Sequence, residues 1–318
     1  MSRRQQHPLL HCRPMSSRYY YTNLPSTLYF PGQPSVGRIF VAWPPESPLI
    51  LGMIHPTAVI DPKAELDSDV KVGPYALIEG SVRIGSGTEI QGHAVISGYT
   101  RVGKNNRVGY GAIIGSFPQD LSFNPKVSSG VEIGDNNVIR EYCTVHRGTK
   151  EGSNTFVGSN NLFMVGAHLR HNTRVANHVL LANNVLLGGY VEIHDRVFIG
   201  GGSVVHQFTR MGAVSLLQGI SGIGKDIPPF SIAIGKNSVA ALNVIGLRRA
   251  GFSQALRSEV KSAFGLLYRS GLNAKQALEE AEKRTWAPET MTFWNFVATA
   301  KRGICPMARW KDVRSEEE

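Results

Sequence analysis

Apolar residues recur at every sixth position over most of the chain. From Ile54 to Ile114, eleven successive sixth positions are all apolar, although apolar residues make up only 42% of the sequence. An α-helix needs a period of 3.6 residues and a strand a period of 2, so neither explains this spacing. A hexapeptide period is typical of a parallel β-helix, in which three steps make one eighteen-residue coil and the inward side chains form a continuous core. The pattern predicts an all-β solenoid.

The period is interrupted at residues 115–132 and again at Glu151, and it resumes after each interruption. Residues 115–132 fall out of phase and contain two prolines, whereas the sixth positions from Val157 through Ile223 are again apolar. A loop of this length inside a repeat is usually functional. We therefore predict a β-helix over residues 53–237, with on the order of nine coils and a loop insertion at 115–132.

The pattern changes to a helical one after Asn237, and we expect a helical domain at 238–318. Each of three helices has a residue suited to its start, namely a Ser or Asn cap or a proline in the first turn. Their predicted bounds are 253–268, 273–284 and 288–301.

The first 52 residues differ in composition from the rest. They carry five Arg, several Ser and no acidic residue before Glu46. Import machinery and membrane potential favour positive charge, and such segments are typical of organelle transit peptides. We predict a mitochondrial transit peptide, with a plastid peptide or an ordinary disordered leader as alternatives.

Composition narrows the function classes. The net charge of +10 arises mainly outside the repeat, which favours a targeting segment and a tail that contacts an acidic partner over nucleic-acid binding. No run of eighteen apolar residues predicts a transmembrane segment. The three cysteines lie far apart without a CxxC pair, so they predict neither a disulfide framework nor a zinc site.

Histidines in the second series of repeats are the candidates for chemistry. Eighteen-residue coils place Gly189 one coil beyond His171, and Gln207, beside His206, two coils beyond it. A neutral imidazole can accept a proton from a hydroxyl near neutral pH, and a glycine lets a backbone N–H approach an oxyanion. The alternative is that His168, His171 and His206 are solvated surface residues.

Several short motifs, in this order and spacing, resemble the bacterial UDP-N-acetylglucosamine acyltransferase family, whose members open lipid A synthesis. The resemblance covers residues 53 to about 303. The motifs are HRGT at His146, GAHLRHN at Gly166, LANN at Leu181, HQF at His206, DIPPF at Asp226 and GLRRAGFS at Gly246. The resemblance implies a left-handed β-helix and a homotrimer with active sites between subunits. It also implies transfer of a (3-hydroxy)acyl chain from acyl carrier protein to the 3-hydroxyl of UDP-N-acetylglucosamine.

The resemblance further implies roles for individual residues. His171 would be the general base, and the Gly189 N–H would stabilise the oxyanion. No metal and no cofactor is implied, apart from the phosphopantetheine that carries the acyl group on the carrier protein. The implied substrate-binding residues are His168, His206, Gln207, Gln119, Asp120, Tyr190, Asn243 and Arg249. The implied acyl-chain region is Leu216, Leu217 and Gly219, and the basic residues suited to the acidic carrier protein are Arg248, Arg249, Lys275 and Arg302.

Six positions depart from the family pattern. Asn172 replaces an Asp beside the catalytic histidine, and Tyr190 replaces a substrate-contacting His. The others are Ser122 for a Lys, Asn237 for a His, Ile245 for a Glu and Ala250 for an Arg. Three other functions remain open: a coenzyme A-dependent acetyltransferase, a zinc-dependent hydratase of the trimeric β-helix type, and a noncatalytic β-helix subunit. The zinc enzymes have two histidines five residues apart, a spacing that the repeat lacks.

Overall fold

A computed structural model describes residues 53–308, and these form a three-faced prism followed by four helices. The prism consists of short parallel strands, each usually two residues long. Within this described part, no helix is both long enough and apolar enough to span a membrane.

The three faces of the prism are three sheets, named here by number, and all their strands pair in parallel except the last strand of face 3. Face 1 contains β1 Val59–Ile60, β4 Leu77–Ile78, β7 Val95–Ile96, β10 Ile113–Ser116, β13 Thr144–His146, β16 His168–Leu169, β19 Leu186–Leu187, β22 Val204–Val205 and β25 Gly222–Ile223. Face 2 contains β2 Glu65–Leu66, β5 Arg83–Ile84, β8 Tyr99–Val102, β11 Gly130–Ile133, β14 Asn154–Val157, β17 Arg174–Val175, β20 Glu192–Ile193 and β23 Arg210–Met211. Face 3 contains β3 Lys71–Val72, β6 Glu89–Ile90, β9 Arg107–Val108, β12 Val138–Ile139, β15 Leu162–Phe163, β18 Leu180–Leu181, β21 Phe198–Ile199, β24 Leu216–Leu217, β26 Ser231–Ile234 and β27 Ser238–Leu242.

The six-residue series forms the core of the prism. In a typical strand the first residue faces outward and the second, apolar residue is buried, as in β16, where His168 is half-buried and Leu169 is fully buried. Successive coils align these residues, so that Leu169 pairs with Leu187 and Leu187 with Val205. Each coil therefore supplies the edge and the apolar floor for the next.

The corners of the prism depend on left-handed backbone conformations. At the corner between faces 1 and 2, Asn172, Tyr190 and Phe208 follow one another at eighteen-residue intervals with φ of 59°, 57° and 64°. Asn adopts this conformation readily, whereas an aromatic residue does so rarely. The Tyr190 and Phe208 rings stack with centroids 5.0 Å apart, and this contact offsets part of the backbone cost.

Two predicted boundaries are corrected. Ser116 pairs with His146, and β11 begins at Gly130, so the strandless insertion is 117–129 rather than 115–132. The helical region does not begin at 238, because β27 forms an antiparallel pair with β26 before the first helix starts at Val244. The strand β27 therefore extends face 3 beyond its last parallel strand, β26.

The three predicted helices are present, and a short one precedes them. Ser253 caps α2 by accepting from the Leu256 N–H, and Asn273 forms a capping box with Gln276 at the start of α3. Pro288 is the first residue of α4, where a missing N–H has no cost. The helices are α1 Val244–Arg249, α2 Gln254–Arg269, α3 Ala274–Glu282 and α4 Pro288–Ala298.

Candidate active site

The corner between faces 1 and 2 brings His171 directly over Gly189. A Cβ atom built on Gly189 would lie 2.5 Å from Cε1 and 2.8 Å from Nε2 of the imidazole. Only glycine leaves room for the ring in this position. The Gly189 N–H has no hydrogen-bond acceptor among residues 53–308, whereas its carbonyl accepts from the Phe208 N–H at 3.0 Å. The predicted pairing of a histidine with a free backbone donor is present.

His171 is suited to act as a base. Its side chain is only 7% exposed. Burial lowers the pKa of His171 below its ordinary value, and the charge of Arg170 acts in the same direction; a hydrogen bond with Asn172 and the charge of Asp120 oppose the shift. The imidazole is therefore neutral at pH 7 and can accept a proton.

Two further histidines lie on face 1 beside this corner. The Nδ1 atom of His168 forms a short hydrogen bond with Thr144 Oγ1, and burial lowers the pKa of His168. His146 packs edge-on against His168, with ring centroids 4.8 Å apart. Burial, reinforced by the charge of His168, lowers the pKa of His146 to about 4, and its Nδ1 has no partner among the described residues. His146 was not among the predicted site residues, although the HRGT motif contains it.

The insertion 117–129 reaches the corner through Arg170. Its Nη2 donates to the Gln119 carbonyl at 2.7 Å, and the Asp120 charge influences the pKa of His171. Asp120 Oδ1 accepts from the backbone N–H and hydroxyl of Ser122, which shapes the loop tip locally. The structure thus brings Gln119 and Asp120 to the candidate site, as predicted, and adds Arg170 to it.

Arg147 anchors the same insertion, and it was also not among the site residues predicted from the sequence. Its guanidinium lies 4.7 Å from the Phe117 ring centroid and 5.4 Å from that of Phe123, and Nη2 donates to the Pro125 carbonyl at 3.3 Å. We call Arg147, Phe117, Phe123 and Pro125 the loop anchor. It connects the insertion to the residue that follows His146.

The remaining corner residues surround the pair. The Tyr190 ring meets the His171 ring edge-on, with centroids 5.4 Å apart. His206 and Gln207 lie exposed one coil beyond Gly189, and the Gln207 backbone N packs beside Gly188. Tyr190, His206 and Gln207, which are predicted substrate-binding residues, therefore lie at the same corner of the prism as His171.

Five of the predicted site residues lie elsewhere in the chain, and no contact among residues 53–308 joins them to His171: Asn243, Arg249, Leu216, Leu217 and Gly219. Asn243 is buried and caps α1: its Oδ1 accepts from the Gly246 N–H at 2.9 Å and its Nδ2 donates to the Val214 carbonyl at 2.8 Å. These contacts use one hydrogen of Nδ2 and one acceptor position of Oδ1, so the contact of Asn243 with the nucleotide phosphates stays a prediction. Arg249 is exposed in the last turn of α1.

The expected acyl-chain region is only partly accessible. Leu217 is fully buried in the prism, so its side chain cannot line a channel on the outer surface, and this prediction is wrong. Leu216 is half-buried on face 3. Gly219 lies at the corner between faces 3 and 1, across face 1 from the corner that holds His171. Among residues 53–308 no group of three or more His, Cys, Asp or Glu residues is arranged to hold a metal ion.

Several known proteins similar to this chain carry the same enzymatic name. The family model described as UDP-N-acetylglucosamine O-acyltransferase, domain 2, matches residues 226–305. The acyl-[acyl-carrier-protein]–UDP-N-acetylglucosamine O-acyltransferase of Burkholderia orbicola is 46% identical over 259 residues, which are 79% of this chain and 98% of the relative. This chain belongs to the UDP-N-acetylglucosamine O-acyltransferase family.

Solved structures of the family extend the agreement to the fold. The UDP-N-acetylglucosamine acyltransferase of Bacteroides fragilis matches with a TM-score of 0.76 at 38% identity, covering 79% of this chain and 99% of that one. The Arabidopsis enzyme matches with a TM-score of 0.71 at 30% identity, with the same coverage. The prism is therefore a left-handed parallel β-helix with a helical C-terminal region, as the resemblance predicted.

Two departures from the family pattern are accommodated by local hydrogen bonds. Asn237 Oδ1 accepts from the backbone N–H groups of Gly224 and Lys225, so this side chain stabilises a turn. Asn172 Oδ1 lies 3.1 Å from His171 Nδ1, so the amide takes the place of a carboxylate beside the base.

Proposed function

We propose that this chain transfers an acyl group from acyl carrier protein to UDP-N-acetylglucosamine, the first step of lipid A-type synthesis. The observation that carries the proposal is the imidazole of His171 lying over Gly189, whose N–H is free of acceptors among the described residues. These two groups are what acyl transfer to a hydroxyl requires, namely a base for the nucleophile and a donor for the oxyanion.

The reaction follows from this pair. Nε2 of His171 accepts the proton of the sugar 3-hydroxyl while the oxygen attacks the thioester carbonyl carbon. The carbonyl oxygen becomes an oxyanion, which the Gly189 N–H stabilises. Collapse of the tetrahedral intermediate breaks the carbon–sulfur bond, and the phosphopantetheine thiolate leaves with the proton from the imidazolium. The products are the 3-O-acyl sugar nucleotide and free carrier protein, and no other cofactor takes part.

We assign substrate contacts by position. Gln119 and Asp120 would hold the sugar, because the insertion delivers them to His171. His168, His206, Gln207 and Tyr190 would line the space around the reacting atoms. Arg249 would bind the nucleotide phosphates, for which a guanidinium is well suited.

We propose that the active form is a homotrimer with each site between subunits. Arg249 and Gly219 lie on parts of the protomer that make no contact with His171, and the outer side of face 1 carries exposed apolar residues. Ile220, at its edge, is 89% exposed, and Leu186 and Val204 on face 1 are also exposed. A second subunit would cover these residues and complete the site; light scattering of the purified protein would give the mass.

We also propose that the basic residues of the helical region attract the acidic carrier protein. Complementary charge mainly accelerates encounter, so the rate of association with the carrier protein should fall as the salt concentration rises.

We further propose that residues 1–52 direct the chain to the mitochondrion. The targeting segment lies outside the described residues. A fluorescent fusion of residues 1–52 would test its destination against a plastid marker.

The function is tested by a donor comparison. Purified protein is incubated with UDP-N-acetylglucosamine and the same acyl chain presented either on acyl carrier protein or on coenzyme A, and the products are identified by mass spectrometry. We expect the 3-O-acyl product with the carrier protein and far less with coenzyme A. Efficient transfer of acetyl or acyl groups from coenzyme A alone would overturn the proposal.

A further inference from the structure

The side-chain amide of Asn172 has an orientation that its neighbours determine. Its Oδ1 lies 3.1 Å from the backbone N of Thr149 and 3.0 Å from the Thr149 hydroxyl. A backbone N–H can only donate, so the amide atom facing it must be the oxygen rather than the nitrogen. Thr149 therefore distinguishes the two ends of the Asn172 amide.

The same oxygen determines which nitrogen of His171 carries the proton. Asn172 Oδ1 lies 3.1 Å from His171 Nδ1. An amide oxygen can only accept, so Nδ1 must carry the hydrogen of the neutral ring, and Nε2 retains its lone pair. Nε2 is also the nitrogen nearest to the position of a Gly189 Cβ.

Tyr190 completes the chain of donors. Its hydroxyl lies 3.2 Å from Thr149 Oγ1. Because the Thr149 hydroxyl donates to Asn172, it is left to accept from the Tyr190 hydroxyl. The Tyr190 ring is held in place by stacking on Phe208 and by its edge contact with His171.

The backbone of Asn172 is fixed independently of its side chain. Its N–H donates to Thr155 Oγ1 at 2.8 Å, and its φ of 59° suits asparagine. Rotation of the amide group about the Cβ–Cγ bond is thus the main freedom left to the Asn172 side chain. Turning it over would present the Nδ2 hydrogens to Nδ1 and would select the other tautomer, in which Nε2 carries the proton and cannot act as a base.

We propose that Thr149 and Tyr190 are positioning residues for the base: they orient the Asn172 amide, which in turn keeps the proton of His171 on Nδ1. The inference rests on the proposed function for its meaning in catalysis, although the tautomer itself can be measured without turnover. It gives a role to the amide at a position where a carboxylate would need no orientation, since both its oxygens accept.

The first test reads the tautomer directly. In ¹⁵N spectra of histidine-labelled protein above pH 7.5, with His171 assigned by a His171→Gln variant, we expect the Nδ1-protonated form in the wild type. In Thr149→Val we expect a measurable fraction of the Nε2-protonated form, and Thr149→Ser should restore the wild-type spectrum. A wild type with the proton on Nε2, or a Thr149→Val spectrum identical to the wild type, would overturn the proposal.

The second test uses a change of background. Thr149→Val keeps the backbone donor and loses only the hydroxyl, so the preference for the correct amide orientation should weaken by about three- to tenfold, the usual effect of one hydrogen bond. We expect kcat to fall in proportion to the fraction of His171 that the spectra show as Nε2-protonated. In an Asn172→Asp background the same substitution should change kcat by less than about twofold, because a carboxylate has no wrong orientation. Tyr190→Phe should follow the same pattern with a smaller effect. Equal losses in both backgrounds would contradict an orienting role and indicate a structural one.

The two tests separate this inference from the proposed function. If the protein fails to acylate UDP-N-acetylglucosamine but His171 carries its proton on Nδ1 in a Thr149-dependent manner, the positioning inference stands and the substrate assignment fails. If transfer occurs while the tautomer is independent of Thr149, the opposite holds.

Discussion

Removing the guanidinium of Arg147 should release the insertion 117–129 from the prism. We consider Arg147→Met, which keeps an unbranched stem in a site where the side chain is buried. The substitution removes the contacts with the rings of Phe117 and Phe123 and the hydrogen bond to the Pro125 carbonyl. His171 and Gly189 are untouched.

The size of the effect follows from those contacts. Each cation–π contact contributes about 0.5–2 kcal/mol, and a hydrogen bond from a charged donor about 1.5–3 kcal/mol. Burial of the guanidinium has a cost that offsets part of this, so we take about 2–3 kcal/mol as the loss of loop docking. Since about 1.4 kcal/mol is a factor of ten, the docked population should fall by about 30- to 150-fold relative to the undocked one. The KM for the sugar nucleotide should rise by about 10- to 100-fold, because only the docked loop presents Gln119 and Asp120.

The assay measures kcat and KM for UDP-N-acetylglucosamine at saturating acyl carrier protein. We expect kcat to remain within about threefold of the wild type, because saturating substrate restores the docked loop. Arg284→Met is a suitable control, since the Arg284 guanidinium also lies near an aromatic ring, 5.9 Å from Trp286, but in the helical region. An unchanged KM in a folded Arg147→Met protein, or a fall in kcat with KM unchanged, would refute the reasoning.

Two other substitutions test the corner and its neighbour. Gly189→Ala places a methyl group 2.5–2.8 Å from ring atoms of His171 and should lower kcat by on the order of 10²-fold. The control is Gly265→Ala, whose added Cβ meets nothing within 4 Å and should leave kcat unchanged. Equal activities of the two variants would contradict the packing of His171 over Gly189. His146 has a folded pKa of about 4 against about 6.5 when unfolded, so between these values the unfolded chain binds the extra proton, and the stability present above pH 6.5 is lost as the pH falls toward 4. Urea unfolding at pH 7 and pH 5 should show a loss of stability that is about 2 kcal/mol larger in the wild type than in His146→Phe, because the other histidines whose pKa burial lowers, including His168 and His171, contribute to the loss in both proteins. An equal pH dependence in both proteins would contradict the burial of a neutral ring at position 146.

Much of the fold was predictable because one physical requirement repeats. Every coil needs an inward aliphatic residue at the same interval, so positions such as Leu169, Leu187 and Val205 reveal the prism. The same series places Leu217 inside, and its assignment to an acyl channel conflicted with that pattern. Handedness could not be obtained from spacing, because a right-handed and a left-handed solenoid need the same period; only the family resemblance supplied it.

The boundaries failed where backbone pairing rather than periodicity decides the structure. Gly130 and Val131 belong to a four-residue strand in which both Val131 and Ile133 face inward, a local period of two that the six-residue series does not detect. The strand β27 lies beyond the last step of the series and pairs in the antiparallel direction. A search for apolar residues at every sixth position therefore detects neither the start of β11 nor the strand β27.

The site was predictable only where coils are regular. His171 and Gly189 are eighteen residues apart, and simple counting placed one over the other. The coil before them is longer, because Thr144 pairs with His168, twenty-four residues away. Counting by eighteen therefore misses the contact of His146 with His168 and the hydrogen bond from Thr149 to Asn172.

The most direct measurement of the central claim is the rate of acyl transfer by His171→Ala. With acyl carrier protein as donor and UDP-N-acetylglucosamine as acceptor, we predict a fall in kcat of about 10²- to 10⁴-fold, with the affinity for the sugar nucleotide changed little. His178→Asn is the control, because this histidine lies at another corner with a φ of 57° that asparagine tolerates. A His171→Ala enzyme that transfers acyl groups at the wild-type rate would contradict the assignment of His171 as the base.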